Sequence, residues 1–169
     1  MKPDDCVLEA RNLSFSYPAY GTHREELFSG LSFALRKGEF MVVAGPPEAG
    51  KSTLARILIG LIPRYTGGEL SSTIRCMGRP LEKLSPSELL PLAGLVFQDP
   101  HEQIITSRCD TEVAFPLESL GLEPPEIERR IAEALAFFDL SSYADTDTAI
   151  LSGGEKKKLL LAVQYALDP

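Results

Sequence analysis

Residues 45–52, Gly45-Pro46-Pro47-Glu48-Ala49-Gly50-Lys51-Ser52, followed by Thr53, leave this chain few ways to fold locally. They match G-x-x-x-x-G-K-[ST], a glycine-bounded turn that leads straight into a helix. A triphosphate packs several negative charges into a few ångströms. A backbone that wraps it must come close and take angles that glycine tolerates. The turn aims successive N–H groups inward, and the helix that follows adds the positive end of its dipole. In such a loop Lys51 reaches the β- and γ-phosphates of a nucleotide, and the Ser52 hydroxyl sits on Mg²⁺. The flanks suit the pattern. Residues 39–44 form an apolar, partly β-branched run that predicts a buried strand, and 54–61 predict a helix with Gly60 near its end. Pro46 and Pro47 have no N–H, so after Gly45 the cradle falls to Glu48, Ala49, Gly50, Lys51, Ser52 and Thr53. Glu48 puts a carboxylate beside an anion site, where glycine would be easier on charge and backbone. Its side chain is expected to point outward, at some cost to nucleotide affinity.

The 169 residues, 44% apolar, suffice for one compact domain with a real core. A net charge of −7 argues against a general nucleic-acid binder. Cys6, Cys76 and Cys109 stand apart with no C-x-x-C spacing, which suggests small buried residues in a reducing compartment rather than a disulfide or zinc framework. No apolar run approaches the ~20 residues that span a bilayer. The chain is therefore expected in the cytosol or peripheral to a membrane.

Taken in order, residues 6–17 and 27–35 alternate apolar and polar, so a small antiparallel sheet precedes the phosphate loop. Residues 69–77 predict another strand and 92–97 a second buried one, ending at Gln98. A Ser85 cap with Pro86 starts a short helix. Helices are then expected over 110–120, from Pro124 with Ile127, Ile131, Ala134, Leu135 and Phe138 on one face, and over 156–167. Lys156-Lys157-Lys158 on its first turns read as a solvated face.

With the loop placed, Leu151-Ser152-Gly153-Gly154-Glu155 resembles the signature motif of ABC-transporter ATPases, usually L-S-G-G-Q. The resemblance covers about residues 7–169. It implies an α/β P-loop NTPase fold with an N-terminal antiparallel β subdomain and an inserted α-helical subdomain. The chain then reads as one ABC ATPase domain, with the β flank and nucleotide core in 1–98 and the helical part with the signature in 99–165. The resemblance also implies ATP and Mg²⁺ as cofactors. In that family the nucleotide is sandwiched between the phosphate loop of one subunit and the signature of a second ABC ATPase subunit, in a homo- or heterodimer. Ser152 and the Gly153 and Gly154 N–H groups would thus serve a partner's nucleotide. By the same resemblance Tyr17 stacks on adenine, with Tyr20 a weaker candidate, and Gln98 reaches Mg²⁺ and the attacking water. The segment from Phe97 to Phe115 resembles energy-coupling-factor importers, which take up vitamins, cobalt or nickel. That implies integral membrane transport subunits as partners, no nucleic acid, and a peripheral place on the cytoplasmic face of the membrane.

Two departures qualify the picture. Glu155 stands where the signature has Gln. The family also continues with a strand that carries a Mg²⁺-ordering Asp and a basic Glu, then a switch His, whereas this sequence ends at Pro169. Neither His23 nor His101 suits the switch. The expectation is a C-terminally incomplete domain, from a protein about 100 residues longer, that alone hydrolyses ATP slowly or not at all. Two other readings stay open: a soluble ABC ATPase unconnected with transport, and a non-hydrolysing nucleotide-binding module of a heterodimer.

Overall fold

The computed structural model describes residues 5–18 and 26–168, so Tyr20 and His23 lie outside the described residues. The chain divides into two compact units, Met1–Leu89 and Leu90–Pro169.

The first unit is built on an antiparallel sheet of order β2-β1-β3-β4, formed by β1 (Cys6–Ser16), β2 (Glu26–Arg36), β3 (Glu69–Cys76) and β4 (Arg79–Pro80). Simple alternation would put Ala10 and Leu13 on opposite faces, yet both are buried with Phe15. A bulge reconciles them. Ala10 pairs with Phe33 and Leu13 with Leu31, so β1 advances three residues while β2 advances two. The extra residue shows at Asn12, which takes φ 49 and donates its N–H to Ser32 Oγ at 2.9 Å. Asparagine tolerates that left-handed angle better than most residues. Phe15 is covered at Gly68, where a Cβ would lie 2.7 Å from the ring and φ is +106. Between β2 and β3 runs α1 (Lys51–Leu58), which buries Thr53, Leu54 and Ile57. The Ser85 cap is present: Ser85 N–H donates to Glu88 Oε2 at 2.9 Å, and Glu88 N–H to Ser85 Oγ at 3.3 Å. The helix it opens, α2 (Pro86–Leu89), is only one turn long.

The second unit packs α3 (Cys109–Ser119), α4 (Pro124–Phe137) and α5 (Gly153–Leu167) around Val113, Leu117, Ala134, Leu135, Leu140, Leu159 and Ala162. The predicted face of α4 is the packed one: Ile127, Ala134 and Leu135 are buried, and Ile131 and Phe138 pack partly against them. Cys76 and Cys109 are buried free thiols whose pKa values burial pushes up. No described helix is long and apolar enough to cross a membrane.

The structure corrects three expectations. Residues 39–44 and 92–97 are not strands, because no strand among the described residues pairs with either segment. Without a neighbouring ladder the apolar side chains of 39–44 are not covered, with Phe40 91% exposed and Val42 72%, whereas those of 92–97 are half-buried. Lys156 is not solvated. It is buried on the inner side of α5, where its Nζ donates to the Ala149 carbonyl at 3.3 Å. A long aliphatic stem lets lysine cover apolar surface while its ammonium finds one polar partner.

Candidate nucleotide-binding site

In the first unit the phosphate loop turns as its glycines require. Gly50 caps α1 at φ 82, and a Cβ there would lie 2.8 Å from the Phe28 ring and 3.0 Å from Leu27. Two side chains of β2 thus press the loop from behind, and only glycine allows both the angle and the approach. Glu48 takes φ 65 without being glycine, and its side chain is exposed. A left-handed angle costs an ordinary residue about 1–2 kcal/mol. The Ala49 N–H is turned to the Pro46 carbonyl at 3.4 Å, so it leaves the set of inward donors. Lys51 folds back over the loop, its Nζ donating to Gly45 O at 2.9 Å and Pro46 O at 2.6 Å. An ammonium has three N–H donors, so one remains for an anion. Ser52 is exposed on the first turn of α1, with its hydroxyl open to a cation.

These features fit a Mg²⁺-bound phosphate chain. A cation, a helix N-terminus and a hydroxyl converge where the only carboxylate in the loop, Glu48, is exposed. Tyr17 lies beside the same helix. Its hydroxyl shares a 2.9 Å hydrogen bond with Thr53 Oγ1, and its ring stands edge-on to Phe15 with centroids 5.0 Å apart. The ring remains 43% exposed, which leaves a face for a planar base.

In the second unit Ser152 caps α5 within a capping box. Its Oγ accepts from Glu155 N–H at 3.3 Å, while Glu155 Oε2 accepts from Ser152 N–H at 2.7 Å and from Ser152 Oγ at 2.6 Å. The hydroxyl proton of Ser152 is therefore directed at Glu155. Leu151 is buried and holds the turn, while Gly153 and Gly154 are exposed with open space where a Cβ would stand. The hydrogen bonds from Ser152 hold the Glu155 carboxyl below its usual range, and the one to Glu155 raises the Tyr143 phenol. A depressed carboxylate stabilises the fold fully above its ordinary pKa, and that contribution is lost as pH falls through the folded value. Wild type is thus expected to have a higher Tm than Glu155→Gln near neutral pH, and the two to converge only as pH falls past 4.5 and through the lower folded value. Thermal unfolding of both chains across that range checks this.

Gln98 is exposed at the bend after segment 92–97. Asp99 caps the following turn, its Oδ1 accepting from His101 N–H at 2.9 Å. Sequence reasoning missed two side chains that hold this region. Gln103 bonds the backbone on either side of Val96. Glu112, buried in α3, accepts from Ile105 N–H at 3.1 Å, Thr106 N–H at 2.7 Å and Thr106 Oγ1 at 2.8 Å. A glutamate at inward position 112 of an otherwise apolar helix face was the available signal.

The sheet of the first unit, with its glycine-bounded loop leading into a helix, is of the α/β nucleotide-binding class. Residues 28–169 match the family model described as ABC transporter, and the chain belongs to that family. A relative from Pyrococcus horikoshii, provisionally named an ABC transporter ATP-binding protein, is 39% identical over 163 residues, covering 96% of this chain and 56% of its own length. Another with the same provisional name, from Methanosarcina acetivorans, is 35% identical over 168 residues, covering 99% of this chain and 26% of its own. The chain thus spans from about a quarter to just over half of the curated relatives it matches. Among solved structures it superposes on CbiO1 from Clostridium perfringens, part of the transporter complex CbiONQ. The TM-score is 0.78 at 24% identity, covering 98% of this chain and 63% of that one. The ATP-binding cassette MJ0796, solved as a dimer with ADP and Pi, gives a TM-score of 0.80 at 22% identity, covering 96% and 70%. The fold is that of ABC ATPases, with an antiparallel sheet at its N-terminus.

Proposed function

We propose that this chain is the nucleotide-binding part of an ABC importer ATPase, one that couples ATP binding and hydrolysis to transport through integral membrane subunits. The observation that carries this reading is the phosphate loop: Lys51 lies clasped over Gly45 and Pro46 with one donor left, beside the exposed Ser52 and the N-terminus of α1. Bound MgATP would supply the transferable phosphoryl group and the cation that neutralises it. Tyr17 would stack on the base. Lys51 would hold the phosphates, Ser52 would ligate Mg²⁺, and Gln98 would orient water. The signature of a second ABC ATPase subunit would close the site, and Ser152 would do the same for the partner's nucleotide. For that, Ser152 must exchange its 2.6 Å bond to Glu155 for one to phosphate. The likeness to a CbiONQ component supports an energy-coupling-factor importer for cobalt, nickel or vitamins, seated peripherally on the cytoplasmic face of the membrane.

Glu48 and Glu155 favour one second reading, a module that binds ATP without hydrolysing it. Glu48 adds a carboxylate to the phosphate loop, though an exposed one, and Glu155 holds the hydroxyl that the signature would offer to an anion. The full-length protein, purified with whatever membrane subunits accompany it, should bind ATP in a Mg²⁺-dependent manner and hydrolyse it. Binding without hydrolysis in the assembled complex would favour the second reading. Co-purification with ribosomes or DNA instead of membrane proteins would overturn the transport assignment.

A further inference from the structure

Gln103 does with one side chain what a neighbouring strand would do. Its Nε2 donates to the Leu95 carbonyl at 2.8 Å, and its Oε1 accepts from the Phe97 N–H at 2.8 Å. A residue in a parallel strand bonds its neighbour in the same way, through the carbonyl before and the N–H after the residue opposite. Segment 92–97 has no ladder among the described residues, so this amide braces its last residues. The brace is itself anchored. Pro100 is buried, the Gln103 N–H donates to Pro100 O at 3.1 Å, and the Ile104 N–H donates to the same oxygen at 3.0 Å. Residues 95–103 therefore form a closed loop, pinned at its base, with the exposed Gln98 directly after the pinned Phe97.

We propose that Gln103 is a positioning residue that fixes the backbone from which Gln98 projects. The inference rests on the reading of Gln98 as the residue that orients water. An exposed amide can serve chemistry only if its own backbone holds still, and a misplacement near 1 Å can cost about a hundredfold in rate. Neither glutamate nor leucine can replace Gln103. Glutamate loses the donor to Leu95 O and faces a carbonyl with a carboxylate, and leucine loses both bonds.

The test uses the full-length protein assembled as it is purified. Gln103→Leu is expected to lower kcat about ten- to a hundredfold with the KM for ATP little changed. In the Gln98→Ala background the same substitution should cost less than about twofold, because the group it positions is gone. Equal losses in both backgrounds would overturn the proposal and leave Gln103 a merely structural residue. Amide hydrogen exchange supplies a readout that does not depend on turnover. Protection of the Phe97 N–H should fall in Gln103→Leu, which has no acceptor for it, and unchanged protection would likewise overturn the proposal. Full kcat in Gln98→Ala alone would instead sink the reading of Gln98, and the positioning role with it, while lost protection at Phe97 would still establish the brace.

Discussion

Lys51→Ala is expected to weaken ATP binding by about ten- to a hundredfold and to bring hydrolysis by the full-length protein below detection. A hydrogen bond from a charged donor contributes about 1.5–3 kcal/mol, and each 1.4 kcal/mol is about tenfold in affinity. The substitution removes more than that contact. Lys51 also ties Gly45 O and Pro46 O together, so alanine frees the first half of the loop as it deletes the charge. Arginine would not restore function, since its rigid fork cannot fold back onto two carbonyls five and six residues earlier in the way a single ammonium does. Stability should change little, because both bonds lie at the exposed surface of the loop. Titration calorimetry with MgATP, alongside a thermal melt, separates the two effects. Unchanged affinity would remove Lys51 from the phosphate site.

Most of what the sequence made legible was local. The Ser85 cap, the glycine at 50, the alternation in β2 and the apolar face of α4 all follow from residues a few positions apart, and the structure has them. The misses share a different cause. An apolar run at 39–44 says that these side chains suit burial, but a strand exists only where a second strand meets it, and no residue within the run encodes that. Lys156 looked like its neighbours Lys157 and Lys158 because the carbonyl that receives it, Ala149, belongs to the loop before the helix. Gln103 was legible only as part of a family resemblance, since its partners lie six and eight residues back and carry no side-chain signature. The bulge at Asn12 was hidden for the same reason: it is defined by what β2 does opposite. In the candidate site, residue identities could be read from spacing, but not the state of their hydrogens. That Glu155 holds the Ser152 hydroxyl follows from the three-dimensional geometry of the cap.

Leu159→Ala should produce the largest loss of stability, about 2–5 kcal/mol, through both transfer and cavity terms. Leu159 is fully buried in the core shared by α3, α4 and α5. Leu161 is the control. Two residues on, it lies about 200° around the helix and is 45% exposed, so Leu161→Ala should stay within about 0.5 kcal/mol. Urea unfolding followed by helical circular dichroism distinguishes them, as a shift in midpoint at constant slope for Leu159→Ala. Equal effects would mean that α5 is not seated as described. The comparison reaches beyond stability, because α5 both carries Ser152 at its first turn and fills the core with Leu159, Leu160 and Ala162. A helix end that offers N–H groups to a phosphate is only as well placed as the packing behind it. Leu159→Ala should therefore loosen the signature without touching any residue in it, whereas Leu161→Ala should leave it intact.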